Sequence, residues 1–193
     1  MARPREFDVD TALDRAMEVF WRKGFEGATL PDLTAAMGIN RPSLYAAFGD
    51  KQALFRRALD RYADGPAGYV REVLAAPTAR GVAERLLRWT IDSATDRRHP
   101  RVCLFVRGAL TCGEESESIR RKLNVHRASG ERAIRERLER AQADGDLAAG
   151  ADPGDLARYV ITVAQGIAVQ AAAGASRKEL QHVAKLALRA WPE

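Results

Sequence analysis

The chain has 193 residues, enough for one large domain or a small one joined to a larger one. Its hydrophobic fraction of 46 % supplies a core and its charged fraction of 30 % a solvated surface, which excludes wholesale disorder. No apolar stretch approaches the ~18–20 residues of a membrane span, and Met1-Ala2-Arg3-Pro4-Arg5 lacks the apolar segment of a secretory signal, so the expected location is the cytoplasm, with no membrane partner. The net charge of +5 permits nucleic-acid binding, yet residues 1–60 hold nine Lys/Arg against nine Asp/Glu, and the excess sits downstream, notably between Arg97 and Arg140. Bulk charge therefore locates no site.

Strand alternation is almost absent, and helical periodicity recurs between short Gly/Pro/Asp punctuations, which predicts an all-α fold. The first helix is expected from about Asp8 or Asp10 to Lys23, with Leu13, Ala16, Met17 and Phe20 as its buried stripe and Gly24 as a left-handed cap. Thr29 caps a second helix with Pro31 in its first turn, ending at Met37-Gly38. Asn40 caps a third with Pro42 in its first turn, and Gly49-Asp50 ends it and caps a fourth. Gly65-Pro66 and Pro77-Thr78 bound a short segment before a helix at about 79–96. His99-Pro100 precedes a helix at about 101–112 that Gly113 closes, and residues 115–143 read as one long helix with apolar Ile119, Leu123, Ala133, Ile134, Leu138 and Ala141. Two more follow, about 154–173 and 176–191, with Ser176 as the cap between them.

The informative unit is Thr29–Phe48, two short helices joined by a tight Met37-Gly38-Ile39 turn. Leu33, Ala36, Ile39, Leu44 and Phe48 are spaced to bury the junction. Such a pair presents its second helix as a rod about 10–12 Å wide, which fits a major groove about 12 Å wide. The N-terminal end of that helix favours phosphate through its backbone N–H groups and its dipole.

Gly38-Ile-Asn-Arg-Pro-Ser-Leu-Tyr-Ala-Ala-Phe-Gly-Asp-Lys-Gln-Ala-Leu-Phe55 resembles the TetR/AcrR-type signature, as does the preceding Val19–Leu30. The resemblance is strong over residues 8–60 and looser beyond. There it rests on helix count and on Asp144-Gly-Asp-Leu followed by Asp152-Pro-Gly-Asp-Leu-Ala157. It implies about nine helices: a helix-turn-helix domain over residues 1–50 that binds double-stranded operator DNA, and an effector-binding and dimerisation domain over 51–193. It also implies that Thr29, Asn40, Arg41, Ser43, Tyr45 and Lys51 touch DNA. Arg41 and Ser43 suit base edges, and Asn40, Tyr45, Lys51 and Thr29 suit phosphate. Arg3 and Arg5 form a basic arm that is either a backbone contact or a tail. Family members carry polar or aromatic residues where Ala46 and Ala47 stand, which leaves Arg41 with more of the readout. Plainer roles exist beside these: Tyr45 also fits packing, Asn40 caps its helix in any case, and Lys51 also fits a solvated lysine.

The resemblance further implies a small-molecule effector held between the middle helices. Trp89, Phe105, Leu110, His126 and Tyr159 are the inward-pointing candidates, although aromatics at helical spacing also serve a core. Cys103 stands among Arg97, Arg98, Arg101 and Arg107 near a helix start, which favours its thiolate. Val102-Cys-Leu-Phe resembles a Gly-Cys-Leu segment of TetR-type regulators that sense electrophiles or oxidants, with Val in place of Gly. A thiol-sensing repressor using Cys103 is thus one alternative, a constitutive dimer without effector another, and a buried packing cysteine the plain reading. Cys112 is nine residues on, ~13.5 Å along a helix and on the opposite face, too far for a disulfide in the intact helix.

Leu156, Val160, Val163, Ala164, Ile167, Ala168 and Ala171, then Leu180, Val183, Ala184, Ala187, Leu188 and Trp191, form wide apolar stripes. They are expected to build a four-helix bundle from two copies, a homodimer through residues 154–191, with coverage of the chain's own core as the other reading. Two cysteines and three dispersed histidines give no metal-ligand spacing, and no Glu-x-x-His pair or Gly-rich phosphate loop appears. No metal, no cofactor and no enzymatic activity are expected.

Overall fold

The computed structural model describes residues 7–65, 68–96, 98, 100, 101, 103–106 and 117–192, and no strand occurs among them. The helices with defined ends are α1 (Val9–Gly27), α2 (Leu30–Met37), α3 (Arg41–Phe48), α4 (Lys51–Asp64), α5 (Val70–Leu74), α6 (Ala79–Thr95), α7 (Glu117–Ala143), α8 (Pro153–Ala172) and α9 (Arg177–Arg189). Of the helix expected over 101–112, residues 104–106 are helical; Arg3, Arg5, Arg97, His99, Val102, Arg107, Leu110, Cys112 and Gly113 lie outside the described residues.

Side-chain oxygens start most of these helices by accepting N–H groups that the helix itself leaves unpaired. Asp8 accepts from the Thr11 N–H at 2.6 Å, Asn40 from Ser43 at 2.9 Å, Asp50 from Ala53 at 2.6 Å and Thr78 from Gly81 at 3.0 Å. Thr29 and Asp32 form a reciprocal capping box at α2, and Ser176 and Glu179 another at α9. Gly38 closes α2 in the left-handed region (φ 69°, ψ 31°), with the Ile39 N–H reaching back to the Thr34 carbonyl. Gly24 differs from the expected left-handed cap. Its φ of 73° comes with a ψ of 177°, a region open essentially to glycine alone, so it breaks α1 sharply and the chain winds on to Gly27.

By packing, the chain divides into two units. The first holds the described residues of Met1–Gly68 and Leu104–Asn124. Its α1 packs on α2 and α4 around Phe20, Phe25 and Phe55, whose rings meet at 4.8–6.4 Å. Trp21 and Tyr62 stack edge to face at 4.9 Å, and the Arg61 guanidinium grips the Asp14 carboxylate through two hydrogen bonds of 2.7 and 2.9 Å. The first turns of α7 complete this unit: Ile119 and Leu123 are fully buried. Beside them Lys122 donates to the Asp60 carboxylate at 2.6 Å and to the Arg56 carbonyl at 3.2 Å. Met17, expected in the buried stripe of α1, is only half-buried; Ala12 and Trp21 take that place.

The second unit holds the described residues of Tyr69–Cys103 and Val125–Glu193. Its core joins α6, the later part of α7, α8 and α9 through Leu86, Leu87, Ile91, Leu138, Val160, Ile167 and Leu180. Arg137 on α7 donates to the Leu74, Ala76 and Pro77 carbonyls, tying down the exit from α5. Asp146, three residues after the end of α7, takes the Ala79 N–H at 2.5 Å and so caps α6. The apolar stripes of α8 and α9 largely serve this core: Val160, Ala164, Ile167, Ala171, Leu180, Ala184, Ala187 and Trp191 belong to it. That fits the reading in which they cover the chain's own core, because periodicity identifies an apolar face without saying which helix covers it.

Candidate nucleic-acid interface

Two turns of helix carry the site. Leu44 and Phe48 are buried, while Arg41, Pro42, Tyr45 and Ala46 are exposed. At 100° per residue these four form an arc that begins beside the buried pair at Arg41 and Tyr45 and runs round through Pro42 to Ala46, which stands opposite it. Arg41 has no ion-pair partner among the described residues, and the first turn of α3 carries no acidic side chain. Its guanidinium and the positive end of the helix dipole thus offer donors and positive charge from the same end.

The neighbouring side chains divide their capacity between the fold and the open surface. Asn40 spends its carbonyl oxygen on the Ser43 N–H, which leaves its two amide N–H bonds for an outside acceptor. The Ser43 side chain is half-buried on the flank of the exposed face, and neither its hydroxyl nor that of Tyr45, 48 % exposed, has a partner among the described residues. Thr29 is more committed. Its hydroxyl donates to Asp32 at 2.7 Å and accepts the Asp32 N–H, while Lys23 pairs with the same carboxylate at 2.7 Å. The Lys23 ammonium first, and the Thr29 donors after it, hold the Asp32 carboxyl down to about 2. Lys51 lies half-buried with Nζ 4.5 Å from the centre of the Phe25 ring. Burial lowers the pKa of its ammonium, and Glu26 opposes that shift.

Arg57 was given no role by sequence reasoning. It stands on α4, yet its Nη1 donates to the Ala47 carbonyl of α3 at 3.2 Å and its guanidinium carbon lies 4.8 Å above the Phe48 ring. Only the tertiary approach of α4 to α3 brings these together. The sequence shows an ordinary surface arginine.

The residues expected around an effector separate. Trp89 lies half-buried on α6, stacked on Tyr69 with ring centres 3.4 Å apart, and both line a cavity of about 470 Å³ with Glu72, Val73, Ala75, Arg85, Arg88 and Asp92. Burial first, and Cys103 second, push the Tyr69 phenol upward, and Cys103 itself is half-buried. His126 is half-buried in the second part of α7. Tyr159 faces outward from α8, with its hydroxyl donating to the Ala187 carbonyl at 3.0 Å, and does not line the cavity. Phe105 belongs to the first unit, its ring edge against Tyr62 at 5.2 Å. Leu110 lies outside the described residues. Tyr69 is the addition here, missed because it stands in a connection without periodicity.

Residues 12–58 match the family described as bacterial regulatory proteins, tetR family, and residues 83–187 match the tetracyclin repressor-like C-terminal domain. The chain is 35 % identical to the HTH-type transcriptional repressor ComR of Escherichia coli K12, over 99 % of this chain and 92 % of that protein. It is 33 % identical to the HTH-type transcriptional regulator YezE of Bacillus subtilis 168, over 83 % of this chain and 84 % of that one. A similar solved structure is the TetR family transcriptional regulator CifR, a cysteine mutant complexed with 26-base-pair double-strand operator DNA. It shares 52 % identity over 98 % of this chain and 100 % of that one, with a TM-score of 0.93.

Proposed function

This chain belongs to the TetR family of bacterial regulatory proteins and is a DNA-binding transcriptional regulator, and we propose that it is a repressor that grips a palindromic operator as a homodimer and releases it when a small molecule binds. The observation that carries this reading is the exposed face of α3, where an unpaired Arg41 and the spare amide of Asn40 stand beside Tyr45 and Ala46. Arg41 and Ser43 read base edges, and Asn40, Tyr45 and Lys51 fix register on phosphate. Thr29 adds at most a shared hydroxyl, since Asp32 already uses it. Residues 1–50 thus reach DNA, and 51–193 hold the effector and the partner copy. No catalytic role is assigned, and the workplace is the cytoplasm, where the DNA is.

The homodimer reading rests on what α8 and α9 leave uncovered. Val169, Val183 and Leu186 are 44, 45 and 61 % exposed. Gly166, in the middle of α8, has nothing within 4 Å of where a Cβ would stand. Glycine costs about 1 kcal/mol in a helix interior, and nothing among the described residues requires it there. A second helix approaching closely would.

A second reading uses Cys103 as a thiol sensor. Its half-buried place in the unit that holds the Tyr69–Trp89 stack, and its electrostatic influence on Tyr69, support that reading. The primary test is operator titration. Arg41→Ala should lose about 1–3 kcal/mol of discrimination between operator and scrambled DNA. Unchanged discrimination would remove Arg41 from base reading.

A further inference from the structure

A two-turn helix such as α3 is too short to hold itself in water, so something must fix both its winding and its direction. Its start is held by Asn40 and its inner face by Leu44 and Phe48. Its last four carbonyls have no partner within α3 itself. The Gly49 N–H takes the Tyr45 carbonyl at 3.0 Å, and Arg57 takes the Ala47 carbonyl at 3.2 Å. A cation there also meets the negative end of the helix dipole. The same guanidinium covers the Phe48 ring at 4.8 Å. Arg57 is exposed, yet pairs with no carboxylate among the described residues. Its two contacts both fall on the last turn of α3.

We propose that Arg57 is a positioning residue for DNA recognition, setting the angle of α3 against α4 without touching DNA. The inference rests on the repressor reading above. Arg41 and Tyr45 project from the exposed side of α3 beside the Leu44 and Phe48 face, so a small roll of α3 about its buried face displaces them sideways. A bidentate contact tolerates little of that before its hydrogen bonds lengthen and bend. Scrambled DNA, held through phosphate, tolerates it better.

The experiment compares wild type, Arg57→Ala, Arg57→Met and Arg57→Lys on operator and scrambled duplexes across a salt series. Arg57→Ala should weaken operator binding on the order of tenfold, the size of one lost charge-assisted hydrogen bond. Scrambled-DNA affinity and the salt slope should stay as in wild type. Arg57→Met keeps the stem over Phe48 and removes the donor and the charge, and it carries the same expectation should the alanine variant fail to fold. Arg57→Lys, which keeps a donor and a charge, should restore most of the discrimination. If operator and scrambled DNA weaken together and the salt slope falls by about one, Arg57 touches phosphate and the proposal is overturned. Wild-type discrimination in both Arg57→Ala and Arg57→Met overturns it as well. A wild-type protein that fails to discriminate would instead sink the repressor reading itself.

Discussion

Two helices of this chain each leave one face uncovered, and the faces are chemically unlike. On α3 the open face is Arg41, Pro42, Tyr45 and Ala46, a cation and a phenol beside two small apolar groups. On the later half of α8 it is Thr162, Gly166 and Val169, small and uncharged. The first is made to be approached by something that accepts hydrogen bonds and carries negative charge. The second is made to be approached closely, by something flat and apolar. Their support differs accordingly. Buried Val160, Ala164, Ile167 and Ala171 anchor α8 along its length, whereas α3 has two anchors and is held at its ends by polar contacts from Asn40 and Arg57. A helix that must expose most of its side chains for reading cannot also be stabilised mainly by burying them.

Filling the open face of α8 should give the largest effect. Gly166→Leu improves helix propensity by somewhat under 1 kcal/mol, and its Cβ has none of the described residues within 4 Å, so the isolated protomer should be as stable or more so. If two copies meet there, the added side chain forces them apart. The protein should then run as a monomer, and operator affinity should fall about 100-fold or more as two linked half-site contacts become independent. Sedimentation and operator titration read both. A dimer that survives the substitution with full affinity would move the interface elsewhere.

On α3 the contrast sharpens with Asn40, whose two ends do different work. Asn40→Ala removes both, and should cost about 0.5–2 kcal/mol of stability together with operator affinity. Asn40→Asp keeps an oxygen for the Ser43 N–H while replacing the amide donors by a negative charge. Thermal unfolding of that variant should stay near wild type, and its binding to operator and to scrambled DNA should fall together. Retained affinity in Asn40→Asp would confine Asn40 to capping.

The helix-turn-helix was legible because its signals are local: Thr29, Asn40 and Asp50 cap within three residues, and Gly38 marks a turn that needs positive φ. Contacts that join distant residues were not. Lys122 and Asp60 are 62 positions apart, and nothing in either neighbourhood announces the other. Gly24 was read as punctuation, but its ψ depends on how Phe25 turns in to meet Phe55. The stripe of α8 was legible, but not which of its residues the helices of the same chain would cover. Around the effector, Trp89 stood out as a large aromatic, whereas Tyr69, stacked on it, sits outside any periodic segment.

The smallest expected effect lies at the start of α2. Asp32 closes the capping box with Thr29 and pairs with Lys23, and its carboxyl is held down to about 2 from an ordinary 3.8. A carboxyl with a depressed folded pKa stabilises the fold above its unfolded value, and the contribution fades as pH falls through the folded one. The loss therefore falls between about pH 4 and pH 2 and leaves neutral pH untouched. Asp32→Asn should flatten that part of the stability curve, measured by chemical denaturation at stepped pH. The pair is solvent-exposed, so the effect should shrink in high salt. The same substitution releases the Thr29 hydroxyl from one of its two bonds with Asp32 and removes a negative charge from the helix start facing any phosphate. If Thr29 touches DNA at all, operator affinity should rise slightly in Asp32→Asn, with no change in base preference. A fall in affinity would mean that the capping box, rather than the hydroxyl, is what α2 contributes.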